Sequence, residues 1–136
     1  MADYKIIKGG KTEYVLLVPE SKDEFINFAI NTLNDTLEQS TGVRLPVVTK
    51  ADGKFVSLGK TYALEKLNPK LTYGRDGLAV QESDGNLYLY GESDYGPIWA
   101  VYELLERKVG YRFFAFDEIK IEKREEIDVT GMSVSY

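Results

Sequence analysis

The chain has 136 residues, the size of one domain, and a chain of that length buries roughly two-thirds of its unfolded surface, enough for a core of its own. Its hydrophobic and charged fractions, 43% and 29%, are ordinary for a globular protein, and a net charge of −5 argues against nucleic acid, whose phosphates require a basic stripe. With no histidine and no cysteine, the sequence excludes Ser-His-Asp and Cys-His nucleophile systems, disulfides and nearly all zinc sites.

Tyr4–Ile7 and Glu13–Val18 read as two strands joined by a hairpin-type turn, Lys8-Gly9-Gly10-Lys11. Tyr14–Pro19 is the longest apolar run and is too short to span a bilayer. Ser21-Lys22-Asp23-Glu24 has the Ser-x-x-Glu form of a capping box. The helix after it should carry Phe25, Phe28, Ala29, Leu33 and Leu37 on one face and end near Gly42. Leu45–Thr49 and Phe55–Leu58 read as short strands around the turn Ala51-Asp52-Gly53. A short helix is expected over Thr61–Leu67, ended by Asn68-Pro69. Gly77–Glu82 and Asn86–Gly91 alternate as strands do, and form a hairpin across Ser83-Asp84-Gly85.

A second long helix follows. Ser93 or Asp94 caps it, Pro97 suits its first turn, and Ile98, Val101, Tyr102, Leu105 and Val109 recur at helical spacing. Gly110 supplies the C-terminal stop. Tyr111–Phe116, Ile119–Ile121 and Ile127–Val129 complete the strands. Two long amphipathic helices and about seven strands predict an α+β, two-layer sandwich. Both helices pack on one face of a mixed, mostly antiparallel sheet, because hairpin turns dominate the connections.

Candidate chemistry is sparse. Gly91 and Gly96 have the spacing of a phosphate loop, but Pro97 and Ile98 replace the Lys and Ser/Thr that bind phosphate and Mg²⁺, and Glu92 and Asp94 would repel the ligand. Helix capping explains the stretch instead. Asp117-Glu118 diverge on a strand end, Glu103 and Glu106 are solvated on a helix, and Asp23-Glu24 suit a helix N-terminus, so no pair makes a glycosidase dyad. The aromatics point to binding. Ten Tyr, six Phe and one Trp exceed what a core of this size needs, and exposed rings either stack on sugars or sit in protein interfaces. Trp99 lies beside Tyr95 and Tyr102, and one helical stripe does not bury all three. Phe113 and Phe114 alternate on a strand, so one of them faces outward. Arg112 either salt-bridges Glu103, Glu106 or Glu118 or reaches a ligand carboxylate.

The segment Gly96, Trp99, Ala100, Val101, Tyr102, Glu103, Leu105, Glu106, Gly110, Arg112, Phe113, Phe114 and Ala115 resembles a block in the N-terminal accessory domains of large glycoside hydrolases. Such domains precede the catalytic barrels of family 20 β-N-acetylhexosaminidases, family 67 α-glucuronidases and related bacterial carbohydrate enzymes. Gln39–Val47, Phe55–Gly59 and Asp76–Val80 resemble other blocks of the same domains, in the same order. Trp99 stands where Tyr is usual, Phe113 where Trp is usual and Phe116 where Pro is usual.

The resemblance implies the fold of the second domain of hexosaminidases, with residues 1–136 forming one accessory domain and the catalytic barrel absent from this chain. It implies a non-catalytic role in glycan degradation, in which the helical side docks against the barrel of the same polypeptide. From the residues themselves, no cofactor and no metal are expected. Tyr95, Trp99, Tyr102, Phe113, Phe114 and Arg112 are the interface or sugar-stacking candidates. The alternatives are a carbohydrate-binding module and, third, a small enzyme in its own right. Met1-Ala2-Asp3-Tyr4-Lys5 lacks the apolar stretch of a signal peptide. That fits a cytoplasmic protein, or a mature or trimmed chain with an added start Met. The resemblance favours the latter, and with it a periplasmic, cell-surface or secreted bacterial protein.

Overall fold

The computed structural model describes the backbone of residues 4–20, 23–51, 53–67, 78–83, 85–91, 96–109, 111–115, 118–121, 126–130 and 132–135. Within those spans, the side chains of 65–67, 78, 108–109, 111–115, 118–121 and 134–135 lie outside the described set. Ser93, Asp94, Tyr95 and Gly110, expected as caps, stop and site residue, fall outside it too.

Strand β1 (Lys5–Lys8) runs into a two-residue turn. Gly9 and Gly10 have φ of 58° and 74°, the double left-handed conformation of a type I′ turn, which glycine adopts without a Cβ clash. Lys8 and Lys11 close it through reciprocal N–H to carbonyl bonds of 2.9 and 3.1 Å. The expected hairpin goes no further. β1 pairs with β9 (Glu126–Asp128), and β2 (Val15–Leu17) leaves for the central sheet.

Helix α1 (Glu24–Thr41) is capped by Asp23, whose Oδ1 accepts from Ile26 N at 2.9 Å, so the cap is not the Ser21 of the expected capping box. Gly42, in the left-handed conformation, ends it. Its buried residues are Ile26, Ala29, Ile30, Leu33, Asn34, Thr36, Leu37 and Ser40. Phe28, expected among them, is 52% exposed, and Phe25 is half-buried. At 100° per residue, position 28 lies well off the line through 26, 30, 33 and 37.

β3 (Val47–Val48) and β4 (Phe55–Leu58) do not pair with each other across Ala51–Gly53. They flank β2, one on each side, both parallel to it. α2 (Tyr62–Leu67) follows, with Thr61 Oγ1 accepting from Leu64 N at 3.2 Å. β5 (Leu78–Ser83) and β6 (Asn86–Gly91) form the expected hairpin, with Val80 opposite Leu89. α3 (Gly96–Leu104) ends in one wider π turn, Leu105–Val109, and β7 (Tyr111–Ala115) and β8 (Glu118–Ile121) pair antiparallel. β10 (Ser133–Ser135), not foreseen from sequence, adds an edge to β5.

The central six-stranded sheet has the order β10-β5-β6-β4-β2-β3. Of the seven described strand pairs, four are antiparallel and three parallel, so the sheet system is mixed with antiparallel pairing in the majority. The parallel pairs all lie where helices or long connections, not hairpins, join the strands.

Period-two alternation splits the sheet residues between two cores. Leu16, Val18, Val56, Leu58, Val80, Leu87 and Leu89 join residues of α1 and α3 in one cluster. Both long helices therefore cover the same face, the two-layer α+β arrangement. Leu17, Phe55, Ala79, Tyr88 and Tyr90 point the other way and pack with Ala63 of α2. Phe55 and Tyr88 meet edge to face at 5.7 Å.

Candidate functional site

α3 presents Gly96, Pro97, Ala100, Val101 and Leu104 inward, against β5, β6 and α1. Trp99 falls outside the arc these positions span on the helical wheel, so its ring is turned outward and is 53% exposed. Tyr102, one turn on and half-buried, sets its ring 6.1 Å from that of Trp99 at an interplanar angle of 45°. The two form a tilted aromatic ridge rather than one flat platform. Beside it, Arg107 Nε donates to Glu103 Oε2 at 2.8 Å, an i,i+4 ion pair on the helix flank. Phe28 stands out from α1, the neighbouring helix. The helical layer thus carries two of the four large hydrophobic side chains exposed among the described residues; the others are Val47 and Tyr62.

The remaining sequence candidates separate. Tyr95 lies outside the described residues. Arg112, Phe113 and Phe114 lie on β7, described as backbone only. In the β7–β8 register Arg112 stands opposite Lys120, while Glu118 stands opposite Ala115. Glu103, another expected partner of Arg112, is engaged by Arg107. Asp23 serves as the α1 cap. Among the described residues no group of three acidic side chains is arranged to hold a metal ion.

One feature was not singled out from the sequence. A cleft of about 700 Å³ opens beside the β1 turn, lined by Lys5, Lys8, Lys11 and Lys54 with Tyr4 and Tyr14. Several of the lining residues are held by hydrogen bonds. The Tyr14 hydroxyl donates to Gly85 O at 2.6 Å, and burial raises its pKa. Thr12 Oγ1 accepts from Tyr14 N at 3.0 Å and donates to Ile6 O. Lys54 Nζ donates to Glu13 Oε2 at 2.7 Å, a bond that holds the Glu13 carboxyl below and the Lys54 ammonium above their ordinary ranges. The signal was legible in part, since Lys5, Lys8 and Lys11 recur every three residues in an otherwise acidic chain. Lys54 joins them only through the fold.

No protein-family model and no curated protein matches the chain. Solved structures do. A family GH115 4-O-methyl-α-glucuronidase with specificity for decorated arabinogalactans matches 97% of this chain with 18% of its own, at a TM-score of 0.71 and 12% identity. The GH20 β-N-acetylhexosaminidase of Streptomyces coelicolor A3(2) matches 93% with 23% of its own chain, at 0.54 and 19%. A GH138 enzyme targeting pectin rhamnogalacturonan II matches 80% with 11%, at 0.51 and 17%. The chain spans less than a quarter of the length of each of these proteins. Its fold is therefore one that recurs as a minor segment of much longer glycoside hydrolases.

Proposed function

We propose that this chain is a non-catalytic accessory domain of a glycoside hydrolase, and that the outer side of α1 and α3 docks on the catalytic barrel of the same polypeptide. The observation that carries the reading is the fold match, which covers nearly all of this chain and only a small share of each hydrolase. Hydrolysis then belongs to the remainder of the parent protein. Phe28 and Trp99 are exposed on adjoining helices, and the Glu103–Arg107 pair lies one turn beyond Trp99, the apolar-and-charged character of a protein contact. Tyr95, Tyr102, Arg112 and the outward-facing one of Phe113 and Phe114 are assigned to the same contact. The parent acts outside the bacterial cytoplasm, on the cell surface, in the periplasm or as a secreted enzyme. Sugar stacking on Trp99 is the second reading, but the 45° tilt against Tyr102 suits an irregular protein surface better than a flat pyranose.

The test supplies the catalytic segment of the same gene in trans and measures association with this chain. Trp99→Ser and Phe28→Ser together should weaken it about tenfold or more, as loss of aromatic anchors does. The isolated chain should turn over no aryl glycoside. Turnover that disappears on substitution of a single carboxylate would overturn the reading, and so would association indifferent to both aromatics.

A further inference from the structure

The lysine cleft concentrates positive charge where the chain as a whole carries a net charge of −5. Two of its lysines are committed, Lys54 to Glu13 at 2.7 Å and Lys5 to Glu126 at 3.1 Å. Lys8 and Lys11 have no carboxylate partner among the described residues. They are also cross-strand partners, closing the type I′ turn through reciprocal backbone bonds. Residues so paired project from the same face of the ribbon, and like charges placed directly opposite one another destabilise it. The Gly9–Gly10 turn thus places Lys8 and Lys11 opposite one another, and both line the cleft.

We propose that this cleft binds an anionic glycan, one whose sugars each carry a single carboxylate or sulfate, with Lys8 and Lys11 taking the anionic group. Four points of chemistry select that ligand. Two adjacent unpaired ammonium groups are relieved of mutual repulsion by one bridging anion, through charge-assisted hydrogen bonds. The volume of about 700 Å³ lies in the range of small-ligand pockets and admits a short run of sugars. Tyr4, half-buried, brings an aromatic ring into the lining, the kind of surface that pyranose C–H faces pack against. Glu13 in the same wall disfavours a doubly charged phosphate more than a singly charged group. That the anion is a saccharide rests on the glycoside hydrolase reading above; that the ligand is anionic rests on the cleft alone.

The experiment titrates the full chain, calorimetrically and at low ionic strength, with short oligogalacturonates, a sulfated galactan oligosaccharide and a neutral xylo-oligosaccharide. Binding of one or both anionic sugars is expected, and the two arms tell carboxylate from sulfate. The affinity should fall as salt is raised, because these charges face solvent and are screened. Lys8→Gln combined with Lys11→Gln should weaken binding about tenfold or more, with unchanged circular dichroism, and Lys50→Gln, an exposed lysine outside the lining, should leave it unchanged. Absence of binding to both anionic sugars overturns the proposal, as does equal binding of the neutral sugar or indifference to the double variant. If the lysine pair governs association with the catalytic segment and not glycan binding, the cleft is a protein contact and the proposal falls. None of these outcomes depends on hydrolysis or on Trp99, so the accessory-domain reading stands or falls separately.

Discussion

Asn34 is a buried side chain whose removal should orphan backbone groups elsewhere in the chain. It lies on α1 at 3% exposure and bridges to a single residue of the chain that follows. Its Nδ2 donates to Leu45 O at 3.1 Å, and its Oδ1 accepts from Leu45 N at 3.0 Å. The amide thus acts as a neighbouring strand would, satisfying both backbone groups of a residue that is itself 2% exposed. Asn34→Ala leaves that N–H and C=O buried without partners. At roughly 1–3 kcal/mol for each orphaned group, partly relieved by relaxation, the loss should be about 3 kcal/mol. With an unfolding entropy of about 2.1 cal/mol/K per residue over this length, the melting temperature should fall by roughly 10 °C.

Asn34→Asp separates the two bonds. The carboxylate still accepts from Leu45 N, but its second oxygen meets the Leu45 carbonyl with no proton between them. Burial and that contact raise the pKa of the new acid in the folded state. A raised folded pKa gives stability that is present at low pH and lost as pH rises through it. The Asp variant should therefore lie near Asn34→Ala at pH 7.5 and recover toward wild type as the solution is acidified. Urea midpoints of the three proteins across that range provide the measurement. A loss below about 1 kcal/mol for Asn34→Ala, or an Asp variant whose deficit ignores pH, would refute the pinning role of the amide.

Three further outcomes are expected. Gly85→Ala should cost about 2 kcal/mol by urea denaturation, because φ is +87° and the added Cβ would meet Tyr4 Cε1 at 2.7 Å. Tyr14→Phe should cost about 1 kcal/mol through loss of the buried bond to Gly85 O. Its second signature is alkaline. Burial raises the Tyr14 pKa, so the native state holds the proton more tightly, and the stability this gives is full below the ordinary value of 10.0 and lost above it. The Phe variant should thus lose less stability than wild type as pH climbs past 10.0. Trp99→Ser, by contrast, should change the urea midpoint by no more than about 0.5 kcal/mol, since the ring is largely outside the core. A large loss there would mean that the ring is structural rather than available for docking.

Local signals carried far in this protein. The β5–β6 hairpin, the 62–67 helix and the end of α1 at Gly42 follow from alternation, helical period and glycine, and each appears where its residues put it. One helical stripe could not bury Tyr95, Trp99 and Tyr102 together, and Trp99 is the one that the structure shows exposed among the described residues. Phe28 shows the limit of the same reasoning, since a hydrophobic side chain was enough to assign it to a stripe that Ile26 and Ile30 occupy instead.

What the sequence determined, then, is whatever depends on neighbours a few residues apart, namely element type, turns and the absence of His and Cys chemistry. Partner choice between strands was decided by the tertiary structure. The Lys8–Lys11 turn looks like a hairpin in isolation, but β1 buries Ile6 and Ile7 beside Ile127 of β9, while Leu16 and Leu17 of β2 are buried between β3 and β4. Backbone hydrogen bonds are equally good with any strand, so the choice falls to the burial of apolar side chains drawn from distant parts of the chain. The lysine cleft has the same origin. Lys54 lines the same cleft as Lys5, Lys8 and Lys11 because β4 lies against β2, and no spacing in a sequence records a neighbourhood of residues that far apart.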